Sequence, residues 1–566
     1  AASVTVSPDG QNAYAASRDS SAVVVFDRAA DGTLTQKAGL AGCNSTLGTG
    51  GCNAGRAVGG AVSVTVSPDG NNVYVASNFH DAVAIFDRAS DGTLTQTGAQ
   101  ASCWTKDGFD GDCMDGRALD GAFSVTVSPG GDSVYVTGGN SDGVAVFDRA
   151  ANGALTQKAG HAGCISEDGT DDENGTPVPD ACADGTALGK ARSVTVSPNG
   201  QSAYVASQDS NAVVVFDRAA DGTLTQKAGI AGCISDDGTD GLGVDPVCVD
   251  GSSLEGVDWV TLSPDGNSLY ATAQTDGAVA VFDRAADGTL TQKPGTAGCI
   301  SEFDTGNGCV DGTGLINAFE VIVSPDSKSV YVASEQSDAV ALFDRAADGT
   351  LTQEAGTAGC ISEDGTNGSE SAIVCVDGTA LDGAESVTVS PDNKSVYAAS
   401  ASDADAVTVF DRVADPLPGP PPPNPPLPPD TTSPLLSALS FSPATFRAAG
   451  TGPSISARVG SKVSYRLSEP AAVSFKVERA LPGRRAGNRC VKPRRSNRHA
   501  KRCTRYVTQR GSFAHQGATG KNSFTFRGRL RGHKLAPGRY RLRAVAADPA
   551  ANKSLPKRSS FRIVRR

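Results

Sequence analysis

The chain has 566 residues, 39% of them hydrophobic, with 66 Gly, 30 Pro and one Met; this is several times the roughly 100–200 residues of a usual domain and excludes a single small core. No apolar run approaches the roughly 18 residues of a membrane helix. Residues 1–430 carry 19 Lys and Arg against 59 Asp and Glu, whereas residues 431–566 carry 31 against 3. The net charge of −12 is therefore the sum of −40 and +28, which points to modules with different electrostatic partners.

The chain opens at Ala1 on a strand-like AASVTVSP with no initiator Met and no leader pattern, so it reads as a processed or excised chain, with any targeting signal out of view. Ser-Pro then recurs at Ser7, Ser67, Ser128, Ser197, Ser263, Ser324 and Ser390, and each is followed by Phe-Asp-Arg, at Phe26, Phe86, Phe147, Phe216, Phe282, Phe343 and Phe410. Within one copy the apolar period is two, which predicts strands over Ser63–Ser67, Asn72–Ser77, Ala82–Asp87 and Thr93–Thr97, joined by Pro-Asp-Gly and Ser-Asp-Gly turns. Seven four-stranded meanders cannot each bury both faces alone; stacked radially they form a seven-bladed β-propeller. An open β-solenoid is the rival, but its rungs are shorter than 60 residues. The seventh copy runs through Val413 into a proline tract without the Leu-Thr-Gln strand of the other six. A segment upstream of Ala1 is expected to complete that blade.

Fourteen cysteines fall in local pairs: Cys43 with Cys52, Cys103 with Cys113, Cys164 with Cys182, Cys233 with Cys248, Cys299 with Cys309, Cys360 with Cys375, and Cys490 with Cys503. One pair per inter-blade insertion reads as disulfides formed in an oxidising, extracytoplasmic setting. Zinc is disfavoured because no paired His completes a tetrahedral set, and no metal site is expected. The insertions are acidic, as in Lys106–Gly116, Ser166–Gly175 and Ser235–Asp245, but none has the full spacing of a calcium loop. Solvated turns are the better reading. No cofactor is expected, with Ca²⁺ in these insertions the minor alternative.

Residues shared by seven copies serve the fold, so the Asp and Arg of Phe-Asp-Arg are expected to brace the blades. Columns that diverge are free to specify function. Five residues before each Ser-Pro serine stand Ala2, Val62, Phe123, Arg192, Asp258, Phe319 and Glu385; the next column is Ser3, Ser63, Ser124, Ser193, Trp259, Glu320 and Ser386. Phe123, Arg192, Asp258, Trp259, Phe319, Glu320 and Glu385 are therefore the candidate ligand-binding residues at a channel mouth, and Arg192, Glu320 and Glu385 the candidate catalytic ones. The competing reading is a rim holding a satisfied arginine–carboxylate pair. No nucleophile elbow, zinc-protease helix or phosphate loop is present in the sequence. His80 and His161, the two histidines of this module, read as loop residues.

Asp415 to Asp430 holds 10 Pro in 16 residues, a polyproline spacer of roughly 50 Å at about 3.1 Å per residue. The domains thus read as a propeller over 1–414, a linker over 415–433 and a basic β-sandwich over 434–566, all β throughout. In the last, SKVSYRLSEPAAVSFKVERA alternates like two strands about a Ser-Glu-Pro turn, and LAPGRYRLRAVAADPAANKS leads to FRIVRR. These stretches resemble a bacterial immunoglobulin-like or fibronectin type III-like domain. Between them Arg484, Arg485, Arg489, Lys492, Arg494, Arg495, Arg498, Lys501, Arg502 and Arg505 form a cationic loop closed by Cys490 and Cys503. It is a candidate polyanion site; nucleic acid is disfavoured because Tyr506 is the one aromatic nearby, and an anionic cell-wall polymer or headgroup fits better, with a solvated loop compensated by the acidic propeller of the same or another molecule as the competing reading.

The strings over Val66–Thr95 and Val196–Thr225, of the form VSPDG, VYVAS, VFDR and GTLT, resemble the lactonase-type seven-bladed propellers with YVTN-like repeats. The resemblance implies the propeller fold and, for some members, hydrolysis of sugar lactones. The Pro-Arg-His and His-Pro-His tripeptides of those enzymes are absent from this sequence, so no lactonase residue carries over. The sequence is thus read as a secreted or cell-envelope protein whose propeller is a non-catalytic binding scaffold for a protein or small molecule, docked on anionic surfaces by its basic domain. The alternative is a lactonase-like hydrolase at the channel mouth, and a third reading is adhesion through the stapled insertions.

Overall fold

The computed structural model describes residues 1–566 apart from 97–99, 109–111, 174–175, 242–246, 304–307, 369–372, 403, 413–432, 449–459, 531–532, 548–551 and 566. The proline tract and the ends of several acidic insertions lie outside the described residues. Two compact units are present, Ala1–Asp415 and Pro416–Arg566.

The first unit is a seven-bladed propeller. In the second blade the strands are Ala61–Val66, Asn72–Ser77, Ala82–Arg88 and Leu94–Thr95, paired antiparallel in that order. Every residue of Asn72–Ser77 is buried. The reason is its place between two neighbours: Val73 and Val75 pack into the core shared with one adjacent blade, Tyr74 and Ala76 into the core shared with the other. The turn between the first two strands is set by Ser67, whose hydroxyl donates to Asp69 (2.5 Å) and accepts the Asn72 N–H (3.0 Å), with Gly70 at φ +72°.

Four strands per blade is an undercount for blades one to six, each of which forms a six-stranded sheet. The third strand is seven residues long, and the Leu-Thr-Gln strand covers its C-terminal end only. In blade three, Leu155–Gln157 pairs with Phe147–Arg149, a 3₁₀ turn at Gly160–Gly163 follows, and Cys164–Ser166 then pairs with Gly143–Ala145. The outer strand is thus broken in two, which satisfies backbone groups that a shorter cover would leave bare. Ala183–Asp184 adds in parallel outside it. All six propeller disulfides, and Cys490–Cys503 in the second unit, join the pairs read from the sequence. Each propeller bridge ties this outer strand to the insertion after it, and seven disulfides indicate an oxidising, extracytoplasmic environment.

The seventh blade has three strands, Ala384–Val389, Ser395–Ser400 and Ala406–Asp411. The ring nevertheless closes on side chains. Each Phe-Asp-Arg arginine donates its Nε to the tyrosine hydroxyl of the preceding blade at 2.6–3.0 Å, and in the seventh such contact Arg28 of the first blade reaches Tyr397 of the last. In blades one, three, four and five the aspartate of the same tripeptide binds the lysine that follows Leu-Thr-Gln, as in Lys158–Asp148 at 2.5 Å. Arg149 also bonds Asp69 (2.9 Å), Asn72 (2.7 Å) and the Gly131 carbonyl (2.9 Å). Arg149→Ala is expected to destabilise the propeller by about 3 kcal/mol, measured by urea denaturation, because a buried charge-assisted network loses its hub.

The second unit is a small β-sandwich. One sheet orders Ser437–Ser442, Ser461–Leu467 and Gly520–Phe526; the other is built on Ala471–Ala486, Gly538–Ala547 and Lys557–Ile563. Val463, Tyr465, Val473, Phe475, Leu542 and Phe561 fill one core between them. The Ser-Glu-Pro turn joins strands of different sheets. The cationic loop is the tip of a long hairpin of two 16-residue strands, Ala471–Ala486 and Arg502–Gly517, with Cys490–Cys503 across it.

Candidate functional site

The first strand of each blade surrounds the axis, and in blades two to seven other than the third its start is irregular between the two flanking pairs, as between Ala61 and Ser63. Blade three shows the same shift between Ala122 and Val125. The residue in that irregularity is the diverged column. Val62, Phe123 and Phe319, from blades two, three and six, are buried and pack together, with Trp259 against them and the two phenyl centroids 6.2 Å apart. Hydrophobic side chains therefore meet across the axis where a solvated rim is one expectation.

Arg192 lies over this cluster, its Cζ 3.5 Å from the Phe123 ring centroid, and its Nε donates to Asp258 Oδ1 at 2.7 Å. Asp258 is fully buried and also accepts from Gln208 at 3.3 Å, while its Oδ2 has no hydrogen-bond partner among the described residues. Burial raises the Asp258 pKa against the pull of Arg192.

The second column has a structural task. Ser3, Ser63, Ser193 and Ser386 each accept a backbone N–H from the first strand of the next blade, at 2.9–3.4 Å. Glu320 stands in a serine's place and does the same with its carboxylate, accepting the Val387 N–H at 3.2 Å. Burial pushes its pKa up to about 8, only partly opposed by hydrogen bonds from Ser386 and Val387. Because the folded pKa lies above the ordinary 4.5, the stability tied to the protonated form is complete below about pH 4.5 and is lost as pH rises through about 8. Glu320→Gln should remove that slope, making the variant more stable than the parent at pH 8 by on the order of 4 kcal/mol, with the difference vanishing near pH 4. Urea denaturation across this range measures it.

Glu385 lies in the same mouth in a different setting. Its Oε1 accepts from Arg18 Nη2 at 3.0 Å, and the carboxylate is 4% exposed against 31% for the arginine. Burial raises its pKa to about 6, Arg18 opposes the rise, and Glu335 adds to it. Arg18 and Glu335 belong to a column that the sequence reading did not consider, the residue after the second strand: Arg18, Asn78, Gly139, Gln208, Gln274, Glu335 and Ala401. Gln208 bonds Gln274 (3.0 Å) as well as Asp258, and Glu335 accepts from Asn317 (2.6 Å). The same criterion of divergence among copies would have found them. The hairpins carrying these residues are held to the following blade by Asp81, Asp142, Asn211 and Asp338, whose side chains accept N–H groups of Gly121, Lys190, Gly256 and Gly383 at 2.6–2.8 Å.

His80 accepts the Gly59 N–H through Nδ1 at 3.1 Å, a contact that fixes the loop into blade two. Several acidic insertion residues turn their carboxylates onto their own loops, Asp168 to Thr170 and Asp237 to Thr239 among them. Among the described residues no group of three His, Cys, Asp or Glu is arranged to hold a metal, and no helix is long and apolar enough to cross a membrane.

Residues 44–164 match the family model described as Lactonase, 7-bladed beta-propeller. No curated protein matches the sequence. Among solved structures, the chain is similar to a putative 6-phosphogluconolactonase from Bacteroides fragilis at 20% identity and TM-score 0.41, covering 62% of this chain and 82% of that one. The periplasmic gluconolactonase of Pseudomonas aeruginosa follows at 19% identity and TM-score 0.40, with coverages of 62% and 83%. Hydrazine synthase of Kuenenia stuttgartiensis gives 16% and 0.44, with 73% and 96% covered.

Proposed function

We propose that the propeller opens a lactone ring at its channel mouth, with Glu385 as general base and Arg18 as the cation that receives the substrate's oxygen. The observation that carries this is the Glu385–Arg18 pair: a shielded carboxylate with a pKa of about 6 is ionised at neutral pH and still basic enough to take a proton. The match of residues 44–164 to the lactonase propellers supports it. In the step, Glu385 removes a proton from water as the water oxygen bonds to the ring carbonyl carbon. The ring C–O bond then breaks, and the proton passes to the leaving alkoxide, which yields a hydroxy acid. Arg192 is engaged by Asp258 and Phe123 and is not given the substrate's anionic group, and Glu320, neutral below about pH 8 and bound between blades, is not given the base's part.

The test is hydrolysis of a panel of sugar and aliphatic lactones by the full chain with its disulfides intact, beside Glu385→Gln. The second reading, a non-catalytic scaffold in the cell envelope whose basic immunoglobulin-like domain docks on anionic surfaces, is favoured by the packing of Val62, Phe123 and Phe319 across the axis. Absence of turnover on every lactone in a folded sample would select it.

A further inference from the structure

In the second unit, positive charge is placed where antiparallel pairing makes it costly. Arg539 is directly opposite Arg562, Arg543 sits between Arg558 and Lys476, and Arg484 faces Arg502. Like charges directly opposed on neighbouring strands destabilise a sheet. Tyr540, Leu542 and Ala544 point into the core, so Arg539 and Arg543 stand on the other, solvent face of the same strand. Strands about 4.8 Å apart, with same-face residues about 6.8 Å apart along each, make this a regular lattice of cations.

Among the described residues, little within the unit offsets it. Residues 431–566 carry 31 Lys and Arg against 3 Asp and Glu, and Arg541 with Glu478 is the one ion pair of the unit among the described residues. At the hairpin end of the sheet Arg484 and Arg502 line a cleft of about 520 Å³ with Pro482 and Pro493. The sheet face extends the cationic tip read from the sequence with arginines more than 30 residues further along the chain.

We propose that this face is a docking surface for a linear phosphodiester polymer without bases, of the polyol phosphate kind. Arginine forks suit phosphate oxygens, and an anion seated between each opposed pair removes the repulsion that the free sheet bears. A nucleic acid would call for stacking platforms, yet the ring of Tyr506 is covered by Arg541, whose Cζ lies 3.6 Å from its centroid. A bilayer would call for an apolar wedge, yet the exposed large hydrophobics described in this unit are Leu435, Tyr506 and Leu555. The disulfide across the hairpin adds an oxidising, extracytoplasmic compartment.

The experiment measures binding of the full chain to purified poly(glycerol phosphate) between 50 and 200 mM salt, beside poly(dT) and vesicles of anionic phospholipid. With roughly six phosphates neutralised, affinity should fall about 300-fold across that range. Arg543→Ser with Arg558→Ser, and separately Arg539→Ser with Arg562→Ser, should each weaken binding about tenfold or more and make the salt slope shallower. Their thermal midpoints should hold or rise, because each removes an opposed pair. Absence of binding at 50 mM salt, tighter binding of poly(dT) or vesicles, or unchanged binding in both double variants would overturn the proposal.

Discussion

Glu385→Gln is expected to lower kcat/KM for lactone opening by about 10²-fold or more, the usual share of a positioned general base. In the parent chain kcat/KM should rise with pH and level off above about 6, as the carboxyl ionises; in the variant that rising limb disappears. Arg18→Gln supplies the second readout. Arg18 is the charge that holds the Glu385 pKa down against burial, so its removal should move the rising limb to higher pH, which a merely structural arginine would not do. Equal turnover by parent and Glu385→Gln across the pH range would place the base elsewhere.

Arg192→Ala is expected to destabilise the propeller by about 3–5 kcal/mol, read from the urea midpoint, because it strands the carboxylate of Asp258 in a fully buried site. The Phe123 ring also loses the guanidinium that covers it. Arg192→Met combined with Asp258→Leu should recover most of the loss, since apolar side chains of similar volume suit the cluster of Val62, Phe123 and Phe319. A pair that tolerates the single substitution without loss would show that water reaches Asp258. This expectation bears on how activity data are read: reduced turnover in Arg192→Ala reports folding as well as chemistry, whereas Glu385→Gln keeps the size of the side chain.

The propeller was legible because its signals are local and repeated. Ser-Pro-Asp-Gly fixes a turn by hydroxyl and glycine geometry, the period-two strands follow, and the copies report the blade number. The cysteine pairs were legible for the same reason, each lying within one insertion. The split outer strand was less so: three residues such as Cys164–Ser166 carry too little pattern to announce a strand until the third strand's bare backbone is seen to need covering. The Phe-Asp-Arg arginine could be called structural, but its partner, a tyrosine 74 to 83 residues away in six of the seven clasps, could not be named.

At the channel mouth the sequence alone determined which column faces the axis, because divergence among seven copies marks positions that the fold leaves free. What each residue does there was decided by tertiary structure. Glu320 and Glu385 are the same side chain one column apart; one is bound between strands with its pKa near 8, and the other meets Arg18 with its pKa near 6. Likewise the count of arginines in residues 431–566 is written in the sequence, but their opposition across strands depends on pairing register. Ionisation and charge repulsion depend on distance and on the loss of solvent, and both arise only when strands far apart in the chain are brought side by side.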